Sequence, residues 1–262
     1  VTGWPLSEGR DSALLGLFGT GFLGCAPDHV AIAVSGGGDS MALLHMALRA
    51  RAHQGWTVSA VTVDHGLRAE SAAEAASVAD FCATQGISHD TLRWQGPKGA
   101  GNLMDLARRA RFSLMADWAK ARGIGHVLLG HTADDDAESF VMNLARSAGI
   151  DGLSGMRRDW GEQGIHWHRP LLDISRADLR AYLVRNAVHW IDDPSNDNSR
   201  FTRVRARRAL AALAPLGITV ATLSETISNL ADARQVIIER TAEAAAGMQD
   251  PTGTLRLSPE TL

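Results

Sequence analysis

The first residues in the chain that could do chemistry are Ser35-Gly36-Gly37-Gly38-Asp39-Ser40. They follow an apolar run over residues 30–34 with the pattern of a buried strand, and they lead into helical spacing at Met41, Leu44, Ala47 and Leu48. Strand, glycine loop and helix start together make an anion site. Glycines let the backbone turn tightly and approach a ligand with no Cβ in the way. The N–H groups at the helix start then point at the anion, aided by the positive end of the helix dipole. Ser35 and Ser40 add hydroxyl donors. Asp39 would repel phosphate, so its expected task is to hold a magnesium ion, a hard cation that takes oxygen ligands. Neither G-x-x-x-x-G-K-[ST] nor G-x-G-x-x-G fits this loop. A mere turn accounts for it poorly, because three consecutive glycines are costly in chain entropy.

A second centre is Gly130-His131-Thr132-Ala133-Asp134-Asp135-Asp136-Ala137-Glu138. On a helix, Asp135 and Glu138, three apart, and Asp134 and Glu138, four apart, share one face at the first turn. Helix capping explains one or two acids there, each contributing roughly 0.3–1 kcal/mol. Four acids in five residues exceed that need and suit magnesium or an ammonium group. His131 alone reads as a packed loop histidine, and its functional case rests on the acids beside it.

The elements that must position these groups alternate. Apolar strands are expected near residues 30–34, 58–63, 89–94 and 126–129, with helices over 39–54, 71–85, 103–122 and 134–146. Such alternation predicts an α/β fold with a doubly wound, mostly parallel sheet. Ligands in such folds bind beyond the carboxyl ends of the strands. The glycine loop, residues 64–68 and residues 130–138 all fall there. Residues 157–168 read as a small hairpin, residues 149–155 as a glycine-rich crossing over the sheet, and 175–186 as a helix with Ser175 as N-cap and Asp178 three residues on. An arginine-dense helix carries Arg200, Arg203, Arg205, Arg207 and Arg208, and residues 219–246 form a long amphipathic helix. A boundary near Pro215 divides residues 1–215 from a helical extension, residues 216–262, too short for an independent core.

The totals narrow the class. The chain has 262 residues, 45% hydrophobic and 21% charged, with a formal net charge of −3, so no global basic field attracts polyanions. Positive charge is almost all arginine, since Lys98 and Lys120 are the only lysines. Arginine grips phosphate bidentately, so local clusters such as Arg108 with Arg111 matter more than the total. Cys25 and Cys82 match no metal or redox spacing, and a reducing cytoplasm fits. No apolar run approaches membrane-spanning length, and the first 27 residues do not read as a signal peptide.

Ser35–Ser40, Val63-Asp64-His65-Gly66-Leu67-Arg68, Ala107-Arg108-Arg109-Ala110-Arg111-Phe112, the 130–138 cluster, Gly152-Leu153-Ser154-Gly155-Met156, Arg169-Pro170-Leu171-Leu172 and Asp192-Asp193-Pro194-Ser195-Asn196 occur in this order. As a set they resemble the tRNA(Ile)-lysidine synthetases of the PP-loop ATP pyrophosphatase family, whose fold is Rossmann-like. The resemblance implies a ligase that uses ATP and Mg2+. It would adenylate the C2 oxygen of the wobble cytidine of a tRNA(Ile) with a CAU anticodon, then replace AMP with the ε-amine of free L-lysine. By the same resemblance Ser35, Gly36, Gly37, Gly38, Asp39, Ser40, Val63, His65 and His131 would bind ATP. Asp39 and Asp134 would hold the metal, and Arg111, Asp135 and Glu138 would hold lysine. Arg108, Arg203 and Arg205 would meet RNA, and Asp39, Asp135, Glu138 and Arg205 would carry catalysis. The implied setting is cytoplasmic with no membrane partner, and a homodimer stays open. Val204, Ser139 and Asp136 depart from the family pattern. Many relatives carry further carboxyl-terminal domains that grip the tRNA, so the resemblance implies a catalytic domain over residues 1–215, with 216–262 a helical linker or the start of a second, tRNA-contacting domain, and the chain is expected to be a catalytic core or a truncated copy.

Three rivals share parts of the pattern. A tRNA thiolase needs cysteines for sulfur relay or an iron–sulfur cluster, which two distant cysteines do not supply. A small-molecule amide synthetase needs no RNA. A non-catalytic nucleotide-binding module has no use for the acids at 134–138.

Overall fold

Apolar runs of four to eight residues, separated by amphipathic helices, fold here into one sheet with helices on both faces. The computed structural model describes residues 11–18, 27–64, 66, 71–94, 96, 103–192 and 202–247. Its strands are β1 (His29–Ala33), β2 (Thr57–Asp64), β3 (Ser88–Arg93), β4 (His126–Leu129), β5 (Asp159–Glu162) and β6 (Ile165–His168). They lie in the order β3-β2-β1-β4-β6-β5. All neighbours run parallel except β5 with β6. The helices are α1 (Asp11–Gly16), α2 (Gly38–Gln54), α3 (Ser71–Thr84), α4 (Leu103–Ala121), α5 (Ala133–Leu144), α6 (Ile150–Leu153), α7 (Arg176–Arg185), α8 (Thr202–Leu213) and α9 (Val220–Gly247). The doubly wound, mostly parallel expectation holds. The expected 157–168 hairpin forms, but as part of the main sheet: β6 pairs with β4, and β5 makes the edge.

The central strands are mostly apolar because both of their faces are covered; the exceptions in β2, Ser59 and Thr62, are buried and hydrogen-bonded to side chains. Val30, Ile32, Val58, Ala60 and Leu128 pack with α2, α3 and α7 on one side. Ala31, Val61, Val127, Leu129 and Trp167 pack with Met115, Trp118 and Ala119 of α4 on the other.

The chain winds outward from β1 through β2 to β3, and α4 then returns it to the opposite side of β1, where β4 pairs. That reversal is a topological switch point, where the loops after neighbouring strands diverge and leave a crevice. Gly130, just after β4, lies against the start of α2. A Cβ there would sit 3.1 Å from both the backbone N and the Cα of Ser40. Only glycine allows this approach without displacing the helix start.

By contacts the chain divides into two units: residues 1–135 with 157–198, and residues 136–156 with 199–262. The boundary expected at Pro215 therefore falls inside the second unit. Helix α5 has its first residues in one unit and the rest in the other. Within the second unit Ala137, Phe140, Leu210, Leu223 and Ile227 form a separate apolar core. Residues 149–155 supply α6 to that unit, where it packs on α9. Among the described residues no single helix is long and apolar enough to cross a membrane.

Burial holds His29, His45, His89, His126 and His168 below the ordinary histidine pKa of 6.5. His168 Nδ1 donates to Asp159 at 2.6 Å, so its Nε2 is left to accept from His126 Nδ1 at 3.0 Å. A histidine with a lowered folded pKa binds its proton more readily when unfolded. Stability is therefore fully present above about pH 6.5 and falls as the pH drops below it. The urea midpoint is expected to be lower at about pH 5.5 than at about pH 7.5, and His168→Gln should narrow the gap. Equal midpoints at both pH values would contradict this account.

Candidate active site

The glycine loop is tied to itself through its two serines. Ser40 Oγ donates to the Gly37 carbonyl at 2.9 Å and accepts from the Ser35 backbone N–H at 3.1 Å. The two serine hydroxyls lie 3.2 Å apart. Gly36 adopts φ +86°, which glycine alone tolerates freely, and its carbonyl accepts from Ile191 N–H at 2.9 Å. That contact turns the carbonyl away from any anion. Trp190 backs the same loop, 3.4 Å from where a Cβ on Gly38 would lie. The N-cap of the seventeen-residue α2 is Gly37, which makes no side-chain cap. Its first-turn N–H groups are therefore available to an anion.

The acids after β4 carry structural hydrogen bonds beyond the charge that their spacing suggests. Thr132 caps α5: its Oγ1 accepts from Asp135 N–H at 3.3 Å, and Asp135 Oδ2 accepts from Thr132 N–H at 3.0 Å. That is a reciprocal capping box. Asp134 Oδ2 accepts the Arg176 backbone N–H at 2.7 Å, at the start of α7. Ser175 caps α7 as expected, its Oγ accepting from Asp178 N–H at 3.1 Å.

Arg176 joins the two centres. Its Nε donates to Asp39 Oδ2 at 3.2 Å and its Nη2 to Asp135 Oδ1 at 3.3 Å, while Nη1 lies 4.0 Å from Asp134 Oδ1. Asp39, Asp134 and Asp135 are thus gathered around one guanidinium, with 12–24% of each acid side chain exposed. Three carboxylates against one cation leave the cluster negative. Burial pushes the Asp39 carboxyl above the ordinary carboxylate range; Arg176 pulls it down, and Asp135 and Asp134 push it up. The sequence reading gave Arg176 no role. A signal was present, since a cation at a helix N-terminus opposes the dipole and implies acids nearby.

Glu138 belongs to the second unit and is buried there, with Arg207 Nε donating to its Oε1 at 2.9 Å. In the sequence Arg207 is one arginine among several on a basic helix, and nothing local marks it as the partner of Glu138. Asp136, also in the second unit, accepts the Met156 N–H at 2.8 Å beside Gly155, which has φ +74°. Its departure from the family pattern therefore sits at a structural position. Val204 is buried on α8, while Arg205 is exposed with its Nη2 3.3 Å from Thr202 Oγ1, and Arg203 is half-buried.

In the first unit, Arg169 Nε donates to His131 Nδ1 at 3.0 Å. Guanidinium carries no acceptor, so Nδ1 is the unprotonated nitrogen and Nε2 holds the proton. Arg169 also stacks over Trp160, 4.1 Å from the ring centre. Arg111 lies on α4 over Phe112, and Arg108 is exposed on the same helix. Val63 is half-buried near the end of β2, where Asp64 Oδ1 accepts from Gly66 N–H at 2.8 Å. His65 and the segment 193–201, including the Asp193-Pro194-Ser195-Asn196 match, lie outside the described residues.

An uncapped glycine loop and an acid trio at the switch point of a doubly wound sheet define an α/β domain with the architecture of a phosphate-binding fold. A family model described as a PP-loop domain matches residues 20–214. Among curated relatives, a tRNA(Ile)-lysidine synthase of Ruegeria pomeroyi is 47% identical over 211 residues, 80% of this chain and 50% of the relative. One of Rhodopseudomonas palustris is 44% identical over 72% of this chain and 55% of its own length. One of Methylobacterium nodulans is 37% identical over 88% of this chain and 70% of its own length. A solved U34-tRNA thiolase of Methanococcus maripaludis, with its [4Fe-4S] cluster, shares the fold at TM-score 0.66 and 15% identity, over 78% of this chain and 71% of that one. The chain belongs to the PP-loop family and, within it, to the tRNA(Ile)-lysidine synthase family. It spans about half the length of the first of these relatives.

Thr132→Val removes the hydroxyl of the α5 capping box and should lower stability by roughly 1 kcal/mol. Urea unfolding of the variant beside the parent measures this. Superimposable curves would remove the capping assignment.

Proposed function

We propose that the chain is the ATP-splitting part of an enzyme that forms lysidine on tRNA(Ile). The observation that carries this reading is the meeting of an uncapped, glycine-lined helix start with a carboxylate trio at one switch point. The names of the relatives support it. In the first step the C2 oxygen of the wobble cytidine attacks the α-phosphorus of ATP, and pyrophosphate leaves. Ser35, Gly36, Gly37, Gly38 and Ser40 would gather the departing phosphates through backbone amides and hydroxyls aimed where charge builds up. Val63, His65 and the Nε2–H of His131 would border the nucleotide.

In the second step the lysine ε-nitrogen attacks C2, and the C–O bond to AMP breaks. Free lysine arrives protonated, with a reference pKa of about 10.4. Asp135 and Glu138 on α5 would receive the ammonium and help remove its proton, while Arg111 would take the lysine carboxylate. Arg108, Arg203 and Arg205 would meet RNA, with Arg205 at the activated base. The oxygens of Asp39 and Asp134 suit magnesium, which keeps few protein carboxylates and shares substrate phosphates. Magnesium would supply charge neutralisation at the leaving pyrophosphate. The reading includes a CAU-anticodon tRNA and a cytoplasmic location, and the assembly to test is a homodimer, by sedimentation.

A sulfur-transfer alternative meets an obstacle at Cys82. Burial pushes this thiol up to about 11, so it stays protonated at neutral pH.

The direct test incubates an isoleucine tRNA with the chain, ATP, magnesium and labelled lysine, and reads the nucleoside by mass spectrometry. Lysidine is expected, and label-free tRNA from a chain that still exchanges pyrophosphate would exclude it. Asp39→Ala should cut ATP–pyrophosphate exchange at least about a hundredfold, consistent with loss of an electrostatic contact to the leaving group. Retained exchange would refute the role of Asp39. Glu138→Gln should slow lysine transfer more than adenylation in single-turnover assays, and equal slowing of both steps would count against its assignment.

A further inference from the structure

We propose that Trp190 and Ile191 are positioning residues for the glycine loop, a brace that holds Gly36 and Gly38 in the shape that receives a pyrophosphate group. The proposal rests on the reading of that loop as the phosphate site of a PP-loop domain.

A loop of three glycines has much backbone freedom to lose when it orders around a ligand. The serines at its ends bond each other, and Ser40 also reaches the Gly37 carbonyl. That carbonyl accepts the Met41 N–H at 3.0 Å as well, at the start of α2. The Gly36 carbonyl lies before the helix, and an oxygen free to swing toward an anion would repel it. Its partner comes from beyond α7, the Ile191 N–H at 2.9 Å. The Ile191 side chain covers the same residue: its Cδ1 lies 3.2 Å from where a Cβ on Gly36 would be, and Val78 of α3 lies 3.5 Å from that point. Trp190 covers Gly38 in the same way, with its Cδ1 3.4 Å from the equivalent point. Glycine has no side chain with which to hold itself, so contacts from outside the loop set its place.

The brace is fixed to α7 on both sides. Before it, Val188 is buried and donates its N–H to the Leu183 carbonyl at 3.0 Å. After it, Asp192 Oδ1 accepts from Arg180 Nη2 at 2.6 Å. Trp190 itself packs against the core that contains Leu183 and Val188. Its Nε1 is buried with no hydrogen-bond partner among the described residues, so the ring acts by its bulk and not through its N–H. Holding the loop in advance lowers the ordering cost of binding. Loss of the brace should therefore weaken the grip on phosphates in a chain that still folds. In a role confined to stability, the folded chain would keep its parental affinity.

Inorganic pyrophosphate is the probe, titrated into the chain in magnesium buffer and followed by calorimetry. Trp190→Ala, and Ile191→Pro, which removes the amide donor, should each bind it roughly tenfold more weakly than the parent. Trp190→Phe keeps a ring and should restore affinity to within about threefold of the parent. The parent should also show a change in indole emission on adding pyrophosphate that W190F lacks, because the indole touching the loop is gone. Parental affinity in both W190A and I191P overturns the proposal. So does W190F binding as weakly as W190A, or keeping the full emission change, the arm that decides if the other two variants do not fold by circular dichroism. A parent chain that binds no pyrophosphate overturns both the phosphate-site reading and this one. A set of chains that behaves as described but makes no lysidine overturns the assigned reaction alone.

Discussion

Every helix start leaves amide protons that its own backbone cannot satisfy, and the candidate site is built from how three of them are answered. At α5 the answer is internal: Thr132 and Asp135 close on each other. At α7 it is shared, with Ser175 capping one amide and Asp134 taking another. At α2 the N-cap is glycine and no side chain answers. Three starts with the same backbone chemistry thus divide into two closed ends and one open one. The open end is the one preceded by the glycine loop, so it is where an anion gains most.

An acid trio beside an anion site is an electrostatic conflict, and the fold makes that conflict usable. Gly130 lets the loop after β4 press against the first turn of α2, and this brings Asp134 and Asp135 to the edge where Asp39 already lies. Left to themselves these carboxylates would repel one another and any phosphate. Arg176 offsets part of their charge, and Asp39 still remains shifted upward by burial and by its acidic neighbours. The α2 start and the carboxylates beside it place both signs of charge at one edge of the sheet. Capping and ligand binding are not alternatives here, because the same carboxylates present one oxygen to a helix start and another to the cluster.

Much of this was legible in the chain. The strands at 30–34, 58–63 and 126–129 and the helices following them appear close to their expected bounds, because burial periodicity is a local property. Ser175 was readable as an N-cap for the same reason. The 157–168 pair was legible as a hairpin but not as the end of the sheet, since nothing in four short residues states which strand they will join. Arg207 looked like one basic residue among several, and its pairing with Glu138 depends on packing within the second unit. Arg169 was seen only as part of a short motif, although it sets the tautomer of His131.

The sequence by itself determined the kinds of group available: a flexible amide-rich turn, a run of acids at a helix start, and the alternation that makes a parallel sheet. Those signals act over a few residues, through glycine's backbone freedom, capping and periodicity. Only the tertiary structure decided that Arg176 would reach Asp39, 137 positions away, and hold it with Asp134 and Asp135. That choice follows from the chain crossing back over β1, because reversing the winding sets the ends of β1 and β4 side by side and makes neighbours of residues far apart in sequence.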